Sequence, residues 1–225
     1  MEPQMRKEVD VTNSKLRHIV ILCHPERDSF NAAIARQYCE VVEENGQEAV
    51  LRDLYRMEFD PVLRANEQPT SPTYAESRHI AHERDLISSA AFVVLIYPIW
   101  FGAAPAMLKG YVDRVLGSGF SFRQVRAQEF NTLLSGTHLF SLTTSGNPKT
   151  WLDEQGQWQS LIGVFDHYLK NAFSMESTEH LHFSSIVEGL SERYGLQCLE
   201  DVRQTARKTC SIASNDFHRR HALQR

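Results

Sequence analysis

The 225-residue sequence is short of the features that mark several common chemistries. It holds four cysteines, Cys23, Cys39, Cys198 and Cys210, without a CxxC or any paired spacing. Each falls in an apolar or periodic setting, which predicts reduced core residues and a cytoplasmic location rather than a disulfide framework. No long basic stripe appears: 24 basic and 28 acidic residues are well mixed, and the net charge is −4. Nucleic acid is therefore not an expected partner, and the end from residue 214 to 225, with its FHRRHALQR, reads as a solvated basic tail. Residues 1–17 contain no apolar h-region and read as a polar leader, not a signal peptide. The glycines of GxGxxG and of the P-loop are missing, as is a G-x-S-x-G elbow. His79 and His82, His180 and His182, and His218 and His221 are pairs without a third ligand at metal spacing, so no metal is expected.

One uncharged run is long enough to raise the question of a membrane. AAFVVLIYPIWFGAAPAML (90–108) counts nineteen residues, against the roughly 20 that a spanning helix needs. Pro98, Gly102 and Pro105 interrupt it, and an internal proline both removes a helical hydrogen bond and clashes with the preceding turn. The run divides better into a doubly buried strand (92–97), a loop, and a helix (105–116) with Pro105 in its first turn. No membrane insertion is expected.

The same reading extends along the chain. HIVILC (18–23), EAVLRDL (48–54), THLFSLT (137–143) and HLHFSSIV (180–187) have strand character. Between them lie amphipathic stretches: 31–46, ended by Gly46; 78–90; a segment with Leu161, Val164, Phe165, Tyr168, Leu169 and Ala172 on one face; and 191–213. Strands alternating with helices imply a parallel α/β sheet, here five strands in the doubly wound order 2-1-3-4-5 spanning one domain, residues 18–213. In that order a crevice opens at the carboxyl ends of strands 1 and 3, where the connections leave in opposite directions.

Three loops should meet at that crevice. CHPERDSFN (23–31) leads into a helix N-terminus, a ready anion site, although Ser29 or Asn31 serves equally well as a simple cap. YPIWFGAAP (97–105) sets Trp100 and Phe101 where a planar ring can lie, or where they merely pack. TTSGNPKTW (143–151) is small and polar, and Gly146 and Asn147 also suit an ordinary turn.

Together these loops, with PAMLKGYVDRV and GFSF following the second, resemble the flavodoxin-like NAD(P)H:quinone oxidoreductases over roughly residues 18–190. The resemblance implies a flavin, FAD with FMN as the alternative, and NADH or NADPH as hydride donor. It implies two-electron, ping-pong hydride transfer through flavin N5 to quinones or similar small planar acceptors. It implies that His24, Ser29, Phe30 and Asn31 hold the pyrophosphate and ribose end, that Pro98, Ile99, Trp100 and Phe101 line the isoalloxazine, and that Thr143, Thr144, Ser145 and Gly146 close the other side. A homodimer with a shared site is implied as well. Three departures stand out: PIWF is one residue shorter than the family loop, Trp151 takes the place of a tyrosine that steadies charge, and Phe122 replaces a substrate-facing tyrosine. Trp151 donates one N–H and relays no proton. Azo or nitro reduction, a flavin-binding regulatory subunit of a potassium efflux system, and an electron carrier are the alternatives.

Overall fold

The computed structural model describes residues 16–120 and 132–222. Strands β1 (Arg17–Leu22), β2 (Glu48–Asp53), β3 (Ala90–Pro98), β4 (His138–Thr144) and β5 (Ser177–Phe183) form one sheet in the order β2-β1-β3-β4-β5, each pair parallel. The helices are α1 (Phe30–Glu44), α2 (Arg78–Ser88), α3 (Ala106–Tyr111), α4 (Lys149–Glu154), α5 (Gln157–Leu161), α6 (Tyr168–Ala172) and α7 (Glu192–Ala222). This is the doubly wound architecture that the alternation of patterns predicts, and the flavodoxin-like one that the resemblance implies.

Alternation of side chains along the strands builds two cores, one on each face of the sheet. Val20, Leu22, Phe92, Val94, Ile96, Phe140 and Leu142 pack against α1 and α7. Ile19, Ile21, Val93, Leu95, Tyr97 and Leu139 face α2, α3 and the helical segment 157–172. The long uncharged run is thus β3, buried on both sides, followed by a turn and α3. Among the described residues no helix is long and apolar enough to cross a membrane. All four cysteines are free, Cys39 half-buried and the others buried; burial pushes the Cys23 and Cys39 thiols up to about 12 and Cys210 to about 11.

The excursion between β2 and α2 is fastened to the helical layer. Arg52 pairs with the fully buried Glu83, which also accepts from the Tyr111 hydroxyl at 3.0 Å. Arg114 pairs with Glu67 at 2.5 Å. Gly110 lets the backbone at Pro61 come close: a Cβ there would lie 2.5 Å from the Pro61 Cα.

Four elements differ from their sequence-based expectation. The segment 157–172 contains a π-helical turn, Ile162–His167, so Leu161, Phe165 and Leu169 are buried while Val164 and Tyr168 stay exposed. An i→i+5 turn takes up an extra residue and carries those two out of the apolar stripe. A second π turn, Val112–Leu116, continues α3. Strand β5 starts at Ser177 and ends at Phe183, because Ser185 adopts φ 58 and turns the chain out of the sheet. Helix α7 runs on to Ala222, nine residues beyond the expected end. Its added turns are polar yet anchored: Asp216 bonds His138 at 2.7 Å and Arg220 donates to the Gly136 carbonyl at 2.7 Å.

Candidate active site

Hydrogen bonds continue the sheet past its carboxyl edge and aim three loops at one place. Cys23 N donates to Ile96 O, Ile99 N to Thr144 O, and Ser145 N to Phe183 O, at 2.9, 2.7 and 3.0 Å. The first loop enters α1 through Ser29, whose hydroxyl accepts from Ala32 N at 3.2 Å. The first N–H groups of a helix have no intrahelical acceptor, and this N-terminus faces the crevice between β1 and β3.

Side chains cross-link the loops. Asn31, only 2% exposed, accepts from the Thr144 hydroxyl at 3.0 Å, joining the first loop to the third. His24, whose Nδ1 accepts from Glu26 N at 3.0 Å, lies 5.8 Å from the Trp100 ring, joining the first loop to the second. Burial lowers the His24 pKa, so its imidazole is neutral at pH 7. The Phe30 ring meets Phe183 edge-on at 6.4 Å.

The second loop is a tight hairpin. Trp100 and Ala103 exchange both backbone hydrogen bonds at 3.1 Å, with Phe101 at φ 51 and Gly102 at φ 77 between them. Two central residues at positive φ define a type I′ turn, where asparagine and glycine are the favoured residues. Phe101 occupies the first of these positions and is fully exposed. A bulky residue in the left-handed region is costly and concentrates at functional sites.

Between this hairpin and the third loop lies a cleft of about 520 Å³, walled by Ile99, Phe101, Ser145, Gly146, Asn147 and Trp151. Thr143 and Thr144 end β4, but their side chains point elsewhere, Thr144 to Asn31 and Thr143 to a pair of histidines. Phe122 lies outside the described residues. A larger, mainly apolar cavity of about 630 Å³ sits apart, between the α3 helix and segment 157–172.

The sequence pattern missed the polar groups beneath the cleft. His180 and His182, two apart on β5, put both rings on one face of the sheet. There Thr143 Oγ1 bonds His180 Nε2 at 2.7 Å and His182 Nδ1 at 2.9 Å. Asp166, 1% exposed, bonds His180 Nδ1 at 2.5 Å. The H-x-H spacing on a strand was the available signal; the carboxylate arrives from a different element. Trp158 rests against both rings, at 4.8 and 5.1 Å. The His182 pKa falls to about 4 through burial first, then through the nearby His180 and Lys149.

A parallel sheet with three loops folded over its switch point defines a doubly wound α/β protein. Residues 17–208 match a family described as having the flavodoxin-like fold. An uncharacterized NAD(P)H oxidoreductase of Haemophilus influenzae is 33% identical over 172 residues, 76% of this chain and 85% of that protein. NAD(P)H dehydrogenase [quinone] 1 of Rattus norvegicus is 30% identical over 66% of this chain and 57% of its own length. The solved NAD(P)H:quinone oxidoreductase from Methanothermobacter marburgensis superposes with a TM-score of 0.70, covering 87% of this chain and 96% of its own, at 23% identity, a likeness of fold. The chain belongs to this family, the flavodoxin-like NAD(P)H:quinone oxidoreductases.

Proposed function

We propose that the protein binds a flavin in the crevice and uses NAD(P)H to reduce quinones or similar planar acceptors by two electrons. The observation that carries this reading is the Asn31 amide. Its Nδ2 is buried at the N-terminus of α1 and, among the described residues, has no partner, and a buried donor without an acceptor costs about 1–3 kcal/mol. A phosphate or polar chain of a bound cofactor supplies that acceptor, so the residues present fit a flavin. His24, Ser29 and Asn31 would hold its phosphate and ribose end, Pro98, Ile99, Trp100 and Phe101 one side of its ring system, and Thr143 to Gly146 the other.

When bound, the flavin supplies the hydride exchange between nicotinamide and acceptor. The chain's own part is to bind, orient and exclude water. Phe101 and Trp151, across the cleft from each other, admit a flat apolar ring. The small Gly146 of the third loop would let the backbone approach its polar edge. FAD is the form we propose, on the likeness of the Ser29-Phe30-Asn31 turn to FAD-binding members, and four free thiols favour a reducing, cytoplasmic setting. A homodimer is proposed with its contact on the larger apolar cavity, at whose rim Val164 and Tyr168 are 75% and 52% exposed; sedimentation should give a dimer that Val164→Asp dissociates.

The test is to release and identify the flavin, then titrate NADH and NADPH anaerobically while following flavin absorbance. Bleaching followed by reoxidation with a quinone is expected. Protein that retains neither FAD nor FMN would end this reading, and FMN alone would correct the cofactor.

A further inference from the structure

A continuous hydrogen-bonded chain runs from the buried interior to the cleft. Asp166 Oδ2 meets His180 Nδ1 at 2.5 Å, His180 Nε2 meets Thr143 Oγ1 at 2.7 Å, and Thr143 Oγ1 meets His182 Nδ1 at 2.9 Å. His182 Nε2 then meets Ser145 Oγ at 3.0 Å, and Ser145 Oγ donates to the Asn147 carbonyl at 2.8 Å. Ser145 and Asn147 wall the cleft. The far end is sealed: Asp166 is 1% exposed and its other oxygen accepts from the Ser141 hydroxyl at 2.7 Å.

Both ends of this chain accept only: an ionised carboxylate at one, a backbone carbonyl at the other. Its five links need five protons, whereas two neutral imidazoles and two hydroxyls supply four. In one state every donor points inward: Ser145 to His182 Nε2, His182 Nδ1–H to Thr143, Thr143 to His180 Nε2, His180 Nδ1–H to Asp166. The Asn147 carbonyl then loses Ser145 but keeps the N–H of Ser185, 3.3 Å away. In the other state one added proton rests on His180 beside Asp166, and every later donor points outward, ending with Ser145 on Asn147. Each proton moving one link along converts the first state into the second. In doing so, His182 exchanges its Nδ1–H tautomer for Nε2–H while staying neutral.

We propose that Asp166, His180, Thr143, His182 and Ser145 form a one-proton relay that stores a proton beside Asp166 and delivers it into the cleft at Ser145. This rests on the acceptor reduction proposed above. A quinone becoming a hydroquinone gains two electrons and two protons. The nicotinamide gives two electrons and one proton as hydride; the relay gives the other proton, and solvent restores it. Among the described residues the groups facing the relay are few. Trp158 covers both imidazoles, Lys149 and Asp153 act on His182 from α4, and the Tyr97 hydroxyl lies in the field of Asp166. The low His182 pKa, set mainly by burial, fits a ring that passes a proton without holding it.

The test uses the purified full-length protein with nitrogen-15 histidine, following both ring nitrogens of His180 and His182 by NMR from about pH 5 to about pH 9, a range centred on ordinary histidine titration. Expected in the wild type is a pH-dependent switch of His182 between its two tautomers. Asp166→Asn adds a donor at the inner end, so His182 should stay Nε2–H throughout. Ser145→Ala removes the outer link, so His182 should stay Nδ1–H. One His182 tautomer at every pH in the wild type, or a switch that neither variant alters, would overturn the relay.

A second readout concerns delivery. Asp166→Asn should slow acceptor reduction by about a hundred-fold, the scale of general acid catalysis, and flatten its pH profile. An intact tautomer switch with acceptor reduction unaltered in Asp166→Asn would refute delivery. Absence of any flavin or NAD(P)H turnover would refute the proposed function instead, and the NMR arm would still decide whether the relay exists.

Discussion

Acid should weaken this fold through one residue at the opposite end of the sheet from the cleft. His18 is fully buried in β1, stacked on Phe92 at 5.1 Å, with Tyr38 Oη 2.9 Å from Nδ1 and Gln47 Oε1 2.7 Å from Nε2. Burial lowers its pKa from 6.5 to about 4; the Gln47 hydrogen bond opposes this, and His138 adds to it. The unfolded chain takes up this proton below about pH 6.5, while the folded chain resists it until about pH 4. Stability is therefore complete above 6.5 and drains away as the pH falls through that window. Two and a half pH units at about 1.4 kcal/mol each amount to ~3 kcal/mol, a large share of a typical 5–15 kcal/mol. Urea denaturation of the wild type and of His18→Phe at intervals from about pH 8 to about pH 4 isolates the contribution, because His24 and His182 act equally on both proteins. At the upper end the variant should be less stable by about 1–3 kcal/mol, since Gln47 Oε1 loses its donor. That deficit should shrink by ~3 kcal/mol, or reverse, on acidification. Parallel curves would refute the reasoning.

Three further outcomes follow from the site and its supports. Trp100→Ala should raise the flavin dissociation constant about ten-fold, or ~1.4 kcal/mol, in a fluorescence titration, and leave thermal unfolding nearly unchanged because Trp100 is 40% exposed. Phe101→Asn should stabilise the chain by about 0.5–1 kcal/mol in urea, as asparagine tolerates positive φ, while weakening acceptor binding; a loss of stability would contradict the strain inferred at φ 51. Gly110→Ala should cost about 2 kcal/mol or more, since the new methyl group meets Pro61, and calorimetry should show a clear drop in melting temperature.

The strands were legible because β-branched runs buried on both faces leave little else for the chain to do, and their alternation with helices set the order 2-1-3-4-5. The wide turns in 112–116 and 162–167 were not, because an i→i+5 bond has no residue signature; the heptad-like spacing that placed Val164 and Tyr168 inside is correct only for uninterrupted α-helix. The last turns of α7 carry no apolar stripe and are held by Asp216 and Arg220, contacts made with β4 and its preceding loop. The three crevice loops were readable from order and residue type. The relay was readable only in part: His180 and His182 announce themselves two apart, but Asp166 lies 14 residues away from His180 in a helix whose phase the sequence hides.

Those two wide turns, Val112–Leu116 and Ile162–His167, also bear on how the gene can change. Deleting a residue from an ordinary α-helix rotates everything beyond it by about 100° and throws the buried face outward. Deleting one from a π turn closes it to α geometry and leaves both flanks in phase. Both turns contribute walls to the 630 Å³ cavity. Descendants of this sequence can thus lose a residue at either position, reshaping that cavity and the surface around it in a single mutational step while the sheet beneath stays as it is.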